Sequence, residues 1–317
     1  MPIFFQGQVD ARLMNNNASL KVAIVGAGPG GLTLARVLKM KGIEAIVFER
    51  DLSPSFRPQG GTLDLHPDSG QLALYHAALS NQFQAIARYE DQGTRLFDHH
   101  GILHHEEVGS DGNRPEVDRT ELRNLLLDSL DPDDICWNST VSTIEALPDG
   151  RFKLVLTDGT RSSSEFDLVV GADGAWSKVR PVLSKVKPEY TGVTFYEIGI
   201  DDVDEQHPEI ASLVGRGSMF ALGKGQALIA QRNGHSHIRV YAALSIGEEN
   251  ITSKFDTASP DSARTSLAAS FSEWSEAMVA LILKGSTFRA WPLYALPIGH
   301  SWEHRKGLTL IGDAAHL

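Results

Sequence analysis

The chain has 317 residues, 42% of them hydrophobic and 22% charged, which is a soluble globular composition with room for a large core and two domains. Its net charge of −11 argues against nucleic acid, which selects basic surfaces, and against docking on an anionic membrane. No run approaches the ~20 apolar residues of a spanning helix.

Residues 1–19 lack the basic start and long apolar core of a secretory signal, and their Asn-rich end reads as a flexible lead-in. Cys136 is the sole cysteine, so no intrachain disulfide can form and a reducing compartment suits the chain; cytoplasm is the expected location. Val22–Val25 then reads as a short strand, and Gly26, Gly28 and Gly31 give G-x-G-x-x-G. A helix follows with its apolar stripe on Leu32, Ala35 and Leu38, and the strand Ile46–Phe48 closes on Glu49. Each part suits a dinucleotide. Gly26 permits the tight turn, Gly28 lets backbone approach a pyrophosphate, and Gly31 lets helix and strand pack closely. The diphosphate would sit on the helix N-terminus, and Glu49 can accept hydrogen bonds from a ribose diol.

Asp51–Ser69 is rich in Pro, Gly and Ser and carries Arg57, Gly60, Gly61 and Asp64, the composition of a long functional loop. Ser69–Ala87 reads as one helix and Thr94–Val108 as a hairpin turning near His100–Gly101. Asp118–Leu130 reads as a helix capped by Asp118, with Glu121 as the capping-box partner and a stripe of Leu122, Leu125, Leu126 and Leu130. Arg119 and Arg123 lie off that stripe. Val141–Val170 reads as an antiparallel meander with turns at Pro148–Gly150 and Asp158–Gly159, running into GADGAWSKVR at 171–180. From Tyr190 short alternating segments such as Ala227–Ala230 and His237–Ala243 indicate a sheet, and Ser262–Leu283 a helix. Leu308–Asp313 is a last apolar strand ending in Gly-Asp.

His99, His100, His104, His105, Glu106 and Glu107 crowd the 94–108 hairpin, but extended side chains alternate between faces, so no metal site is expected there. No convincing catalytic triad stands out, and no catalytic side chain is assigned.

Three motifs stand in order: Gly26–Gly31 with Glu49, GADGAWSKVR at 171–180, and LIGDAAH at 310–316. Together they resemble the class A flavin-dependent aromatic hydroxylases of the para-hydroxybenzoate hydroxylase type, from about residue 20 to the end. Within that class, RPQGGTLDLH at 57–66 and EVDRTELRNLLL at 116–127 are most similar to the tetracycline-degrading flavin monooxygenases and their relatives. The resemblance implies an α/β fold, a Rossmann-like (GR2-type) FAD-binding domain with an inserted α+β substrate domain carrying an antiparallel sheet. The expected division is a lead-in over 1–19 and an FAD-binding domain over 20–187, hairpin 94–108 included. A substrate domain would follow over 188–284, and 285–317 would return to the FAD-binding domain.

The resemblance also implies tightly bound FAD, NAD(P)H as reductant and O2 as co-substrate. One oxygen atom would pass from a flavin C4a-hydroperoxide to an aromatic or polyketide-like small molecule. It puts Glu49 and Arg50 on the adenosine side of FAD, Arg123 on the flavin's linker, Asp64 beside the flavin and Asp313 on the ribityl chain. Arg57 is linked to the nicotinamide cofactor, and Asp173 and Gly174 serve FAD and NAD(P)H together. Read as residues alone, other roles stay open: a helix cap for Asp313, a solvated helix face for Arg123, a surface cation for Arg57, and turn formation for Asp64 and Asp173. Phe220 and Tyr241 could line a substrate pocket or be plain core.

The sequence departs from the family in two ways. It stops at Leu317, before the family's Pro- and Gly-rich turn and C-terminal helices, which leads to an expectation of weakened flavin binding and of uncovered apolar surface. The glutamine expected near Ile198 and the arginine expected near Ser218 are missing, so tetracycline is not the expected substrate. The competing readings are an FAD oxidase or dehydrogenase and a non-catalytic flavin binder. A monomer or homodimer is expected.

Overall fold

The computed structural model describes residues 20–56, 60–109, 113–251, 254–255 and 258–317. Arg57 and the lead-in over 1–19 therefore lie outside the described residues.

The chain starts with β1 (Lys21–Val25), α1 (Pro29–Met40) and β2 (Glu44–Phe48), as the sequence pattern predicts. A short strand β3 (Thr62–Asp64) leads to α2 (Gly70–His76) and α3 (Ser80–Ile86). The single helix expected over Ser69–Ala87 is thus two. Ala78 takes a left-handed φ of 56°, and the Leu79 amide returns to the Leu74 carbonyl at 2.9 Å, a Schellman-type ending. The bend lets Leu74, Ala77, Leu79 and Phe83 all enter one core.

Next come β4 (Gly93–Asp98), β5 (Leu103–Glu107), β6 (Glu116–Asp118) and α4 (Arg119–Asp128). Leu122 and Leu126 are buried as expected, each contributing roughly 1.5–3 kcal/mol. The capping box is not made. Asp118 occupies the N-cap position, but its carboxylate pairs with Arg88 at 2.9 Å and accepts the Gly234 amide at 3.2 Å instead. After β7 (Ile135–Cys136), the expected meander resolves into the hairpin β8 (Val141–Ala146) and β9 (Phe152–Leu156), while β10 (Leu168–Gly171) leaves to join a parallel sheet. The short α5 (Arg180–Leu183) follows.

The remaining chain forms β11 (Glu189–Ile200), α6 (Val203–Gln206), α7 (Pro208–Val214), β12 (Gly217–Gly223), β13 (Gln226–Arg232) and β14 (Ile238–Ser245). It ends with α8 (Pro260–Ala269), α9 (Glu276–Leu283), β15 (Arg289–Ala295), β16 (Leu308–Leu310) and α10 (Asp313–His316). The helix expected over Ser262–Leu283 is broken between α8 and α9.

Among the described residues, one sheet runs β16-β10-β1-β2-β7, all parallel. Val22 and Ile24 face a core shared with α1 and α4, and Ala23 and Val25 face one shared with the β8–β9 hairpin. Burial on both sides explains the continuous apolar run of β1. A second sheet runs β15-β11-β14-β13-β12-β4-β5, antiparallel except where β12 meets β4. Its helix-covered face buries Tyr196, Ile198, Met219, Leu228 and Val240 together with Leu267 and Leu281 from α8 and α9. Two segments therefore sit differently from the expected division. The 94–108 hairpin pairs through β4 with β12, and β15, expected with the return segment, is the other edge of the second sheet. Backbone pairing between residues far apart in sequence sets both positions.

Arg88 ties the β3–β6 ribbon to the segment that enters β4. It pairs with Asp91 at 3.0 Å, donates to Thr62 Oγ1 at 3.2 Å and contacts Asp118. Beside it, the buried Glu116 accepts a bond from Thr62 Oγ1 at 2.7 Å. Burial pushes the Glu116 carboxyl above its ordinary value. Asp64 and Asp91 add to the shift, and the Thr62 bond and Arg88 oppose it. The folded chain then holds a proton that the unfolded chain releases. Stability is lost as pH rises from the ordinary carboxylate range through the raised folded value. Glu116→Gln keeps an acceptor for Thr62 and removes the ionisation. Its stability relative to the native chain should rise as pH climbs from the ordinary carboxylate range through the raised folded value, read in urea melts; a difference that ignores pH refutes this.

Candidate dinucleotide-binding site

The turn after β1 needs two of its glycines for folding. Gly26 has φ of 108°, and a Cβ there would overlap the Ala172 carbonyl. A Cβ on Gly31 would overlap the Gly26 carbonyl. Gly28 is different: a Cβ would meet nothing within 4 Å, because it would project into an open cleft. Gly28 is also the N-cap of α1, has no side chain to cap it, and no acidic residue stands in the first turn. The helix N-terminus thus presents amide groups and a positive field to that cleft.

Glu49 closes β2 and is 5% exposed. Its Oε2 accepts the Ala27 amide at 2.6 Å and its Oε1 accepts the Asp51 amide at 3.0 Å. A carboxylate oxygen has a second lone pair, so this clamp leaves capacity for a sugar hydroxyl. On the opposite wall, Asp173 Oδ2 accepts the Lys178 amide at 2.6 Å, while its buried Oδ1 has no hydrogen-bond partner. Gly174 has φ of 80°. Ser177 Oγ accepts the Val179 and Arg180 amides at 3.1 and 2.9 Å, holding the GADG segment against α5. Arg180, 3% exposed, donates to the Ala314 carbonyl at 3.1 Å and to the Ala175 carbonyl, joining that segment to α10. Burial lowers its guanidinium from the ordinary value and the Asp173 charge pulls it back. Asp313 is not the cap of α10; Gly312, with φ of 59°, holds that position. Asp313 is exposed instead.

These elements enclose a cleft of about 320 Å3 lined by Gly26, Gly28, Glu49, Arg50, Asp173, Gly174 and Asp313 among others. Seven of the residues predicted from sequence thus meet in one place. Ser139, Thr140, Trp176 and Lys178 also line it. No pattern marks the first two in the sequence, since they reach the cleft only because β7 is aligned beside β2. The uncapped helix, the space at Gly28 and the unpartnered Asp173 oxygen all fit a dinucleotide with diphosphate and sugar hydroxyls.

The other predicted residues lie elsewhere. Arg123 is 3% exposed, which excludes the solvated helix face. It donates to the Ala27 carbonyl at 3.3 Å and the Pro54 carbonyl at 2.6 Å, pairs with Asp51 at 3.5 Å, and lies 5.5 Å from the centre of the Trp137 ring. It braces the glycine turn from behind. Asp64 sits at the end of the β3–β6 ribbon, 3.1 Å from His66 Nε2. Phe220 and Tyr241 are half-buried on the second sheet, on the face away from its helices, so neither belongs to the main core. Sequence reading missed an ion pair on that face, Glu197 with Arg239 at 2.8 Å. On the 94–108 hairpin, His104 pairs with Asp98 at 3.1 Å and the β5 side chains are exposed.

Comparison with known proteins agrees with this geometry. Residues 19–317 match the FAD binding domain family. Monooxygenase asqM of Emericella nidulans is 31% identical over 96% of this chain and 80% of its own length. Monooxygenase penA of Penicillium thymicola is 30% identical over 96% and 81%. Among solved structures, 2,6-dihydroxypyridine-3-hydroxylase of Arthrobacter nicotinovorans superimposes with a TM-score of 0.78 at 18% identity, over 94% of this chain and 78% of that one. HpxO of Klebsiella pneumoniae, complexed with FAD and uric acid, superimposes with 0.76 at 20% identity, over 95% and 74%. With its uncapped α1 facing an open, acid-lined cleft, the chain belongs to the FAD-dependent monooxygenase family.

Proposed function

We propose that the chain uses NAD(P)H and O2 to hydroxylate an aromatic or polyketide-like small molecule, by the flavin route that class A hydroxylases use. The observation that carries this reading is the cleft in which Gly28, Glu49, Asp173 and Asp313 converge. Gly26 and Gly28 with the α1 N-terminus hold the diphosphate of FAD, Glu49 and Arg50 the adenosine, and Asp313 the ribityl chain. Asp173 and Gly174 serve FAD and the arriving NAD(P)H, and Arg123 keeps the glycine turn in shape. Arg57 at the nicotinamide cofactor and Asp64 beside the flavin complete the set. When bound, FAD supplies the electron transfer and O2 activation that no side chain here can. The protein orients the substrate and excludes water.

Phe220 and Tyr241, on the open face of the second sheet, are the substrate contacts in this reading. The names of relatives support the substrate class: one is a 3-amino-4-hydroxybenzoate 2-monooxygenase of Streptomyces cremeus, 26% identical over 94% of this chain. No helix among the described residues is long and apolar enough to cross a membrane. We place the enzyme in the cytoplasm as a monomer or homodimer.

The test is an absorbance spectrum of the protein loaded with FAD, freed of excess and mixed with NADPH in air. Bands near ~370 and ~450 nm should bleach on NADPH and return with oxygen. Retained flavin that NADPH cannot bleach refutes the monooxygenase reading in favour of an oxidase or a non-catalytic binder.

A further inference from the structure

The open face of the second sheet carries a polar group that its surroundings do not explain. Strand register lines up Glu197, Tyr241, Ile229, Phe220 and Leu96 across β11, β14, β13, β12 and β4. Arg239 stands one step along β14 on the same face, opposite Gly199. Most of this row is apolar, and the Phe195 ring packs 5.7 Å from that of Tyr241. Yet it contains an ion pair whose side chains are only 14% and 18% exposed. Such a pair is weak evidence for stability, because apolar side chains of similar volume serve as well or better.

The pair is also incomplete as a structural brace. Glu197 uses Oε1 toward Arg239, leaving Oε2 with no hydrogen bond among the described residues, and Arg239 Nε is buried without a partner. The loop from the first sheet comes close here. A Cβ on Gly60 would lie 2.5 Å from Arg239 Nη1, and one on Gly61 would lie 3.1 Å from Tyr241 Oη. Burial raises the Tyr241 phenol, Glu197 adds to this, and Arg239 and Arg119 oppose it, so the hydroxyl stays protonated and can donate. Acceptor and donors thus stand side by side on an aromatic surface.

We propose that Glu197, Arg239 and Tyr241 form a recognition edge for an uncharged aromatic substrate bearing a donor beside an acceptor, such as an amide or lactam N–H next to its carbonyl. The N–H donates to Glu197, and the carbonyl accepts from Arg239 and Tyr241. A carboxylate offers acceptors alone, meets the Glu197 charge, and finds the Arg239 charge already neutralised. The inference rests on the reading that this face meets the substrate, and it adds which substrates are selected.

The test uses FAD-loaded protein and calorimetric titration with 4-hydroxybenzamide and 4-hydroxybenzoate. The amide should bind at least ~10-fold more tightly, the size of one charge-assisted hydrogen bond. In Glu197→Gln, 4-hydroxybenzoate should gain ~10-fold or more while 4-hydroxybenzamide changes less than ~3-fold. Tyr241→Phe should weaken both probes by similar factors, giving a second readout if the first variant does not fold. Equal binding of the two probes by the native protein, an unchanged ratio in Glu197→Gln, or binding of neither probe overturns the proposal. Flavin bleaching by NADPH is followed on the same samples. Its failure with the probe preference intact strikes the proposed reaction, and the reverse outcome strikes the recognition edge.

Discussion

Gly28→Val is expected to fold as the native chain does and to lose FAD. The backbone at Gly28 is extended, with φ of −79° and ψ of 175°, which any residue adopts. A Cβ there would touch no protein atom within 4 Å. The isopropyl group therefore costs the fold little, and the unliganded protein should melt within a few degrees of native. The same group fills the space through which a diphosphate must approach the α1 amides. Loss of close contact at that point should weaken FAD binding by at least ~100-fold. Flavin absorbance co-eluting with the protein, read beside a melting curve, tests both halves. Normal flavin occupancy in a folded variant removes the phosphate site from Gly28. Gly31→Val is the contrasting case: its Cβ collides with the Gly26 carbonyl, so this change should cost the fold itself several kcal/mol.

The second large effect is expected at Arg123. Its guanidinium is among the most buried charges in the chain and links α4 to the glycine turn, to the loop at Pro54 and to Asp51, itself 3% exposed. Arg123→Ala removes an ion-pair partner of a buried carboxylate and leaves two carbonyls short of a donor. The expected loss is about 3–5 kcal/mol, seen as a fall in the urea midpoint. Flavin retention should fall with it, because the Ala27 carbonyl is part of the glycine turn to which we assign the diphosphate. Arg123→Lys should recover little, since an ammonium cannot span the three acceptors that the guanidinium fork reaches. A stability loss under ~1 kcal/mol would show that Arg123 is not the brace of this turn.

The difference between Gly28 and Arg123 also marks what could be read from the sequence. The first strand, glycine turn, helix and second strand are contiguous, so period, glycine spacing and the closing Glu49 all report on one local unit. The gathering of Asp173 and Asp313 at that turn could be anticipated because each follows an apolar strand, and β10 aligns parallel beside β1 and β16 beside β10. Arg123 could not be read in this way. Helical periodicity leaves it off the leucine stripe, and it is buried only because residues 51–54 fold back over that side of α4. Asp118 carries the pattern of a capping residue, but Arg88 and the Gly234 amide claim its carboxylate. Glu197 and Arg239 meet diagonally across two strands whose register no local pattern records.

The interlaced order of the second sheet has a consequence for how the protein is made. β4 and β5 leave the ribosome long before β12, the strand that pairs with β4. Until then Phe97 has no completed core to enter, and β4 presents an open edge to other nascent chains. The parallel sheet likewise waits for β10 before β1 is flanked on both sides, and for β16 before β10 is. The parallel sheet is completed only after the second has all its strands, because β16 follows β15 in the chain. A cut at residues 188 and 284 would strip β4 and β15 from both margins of the second sheet, so that fragment should be recovered as aggregate.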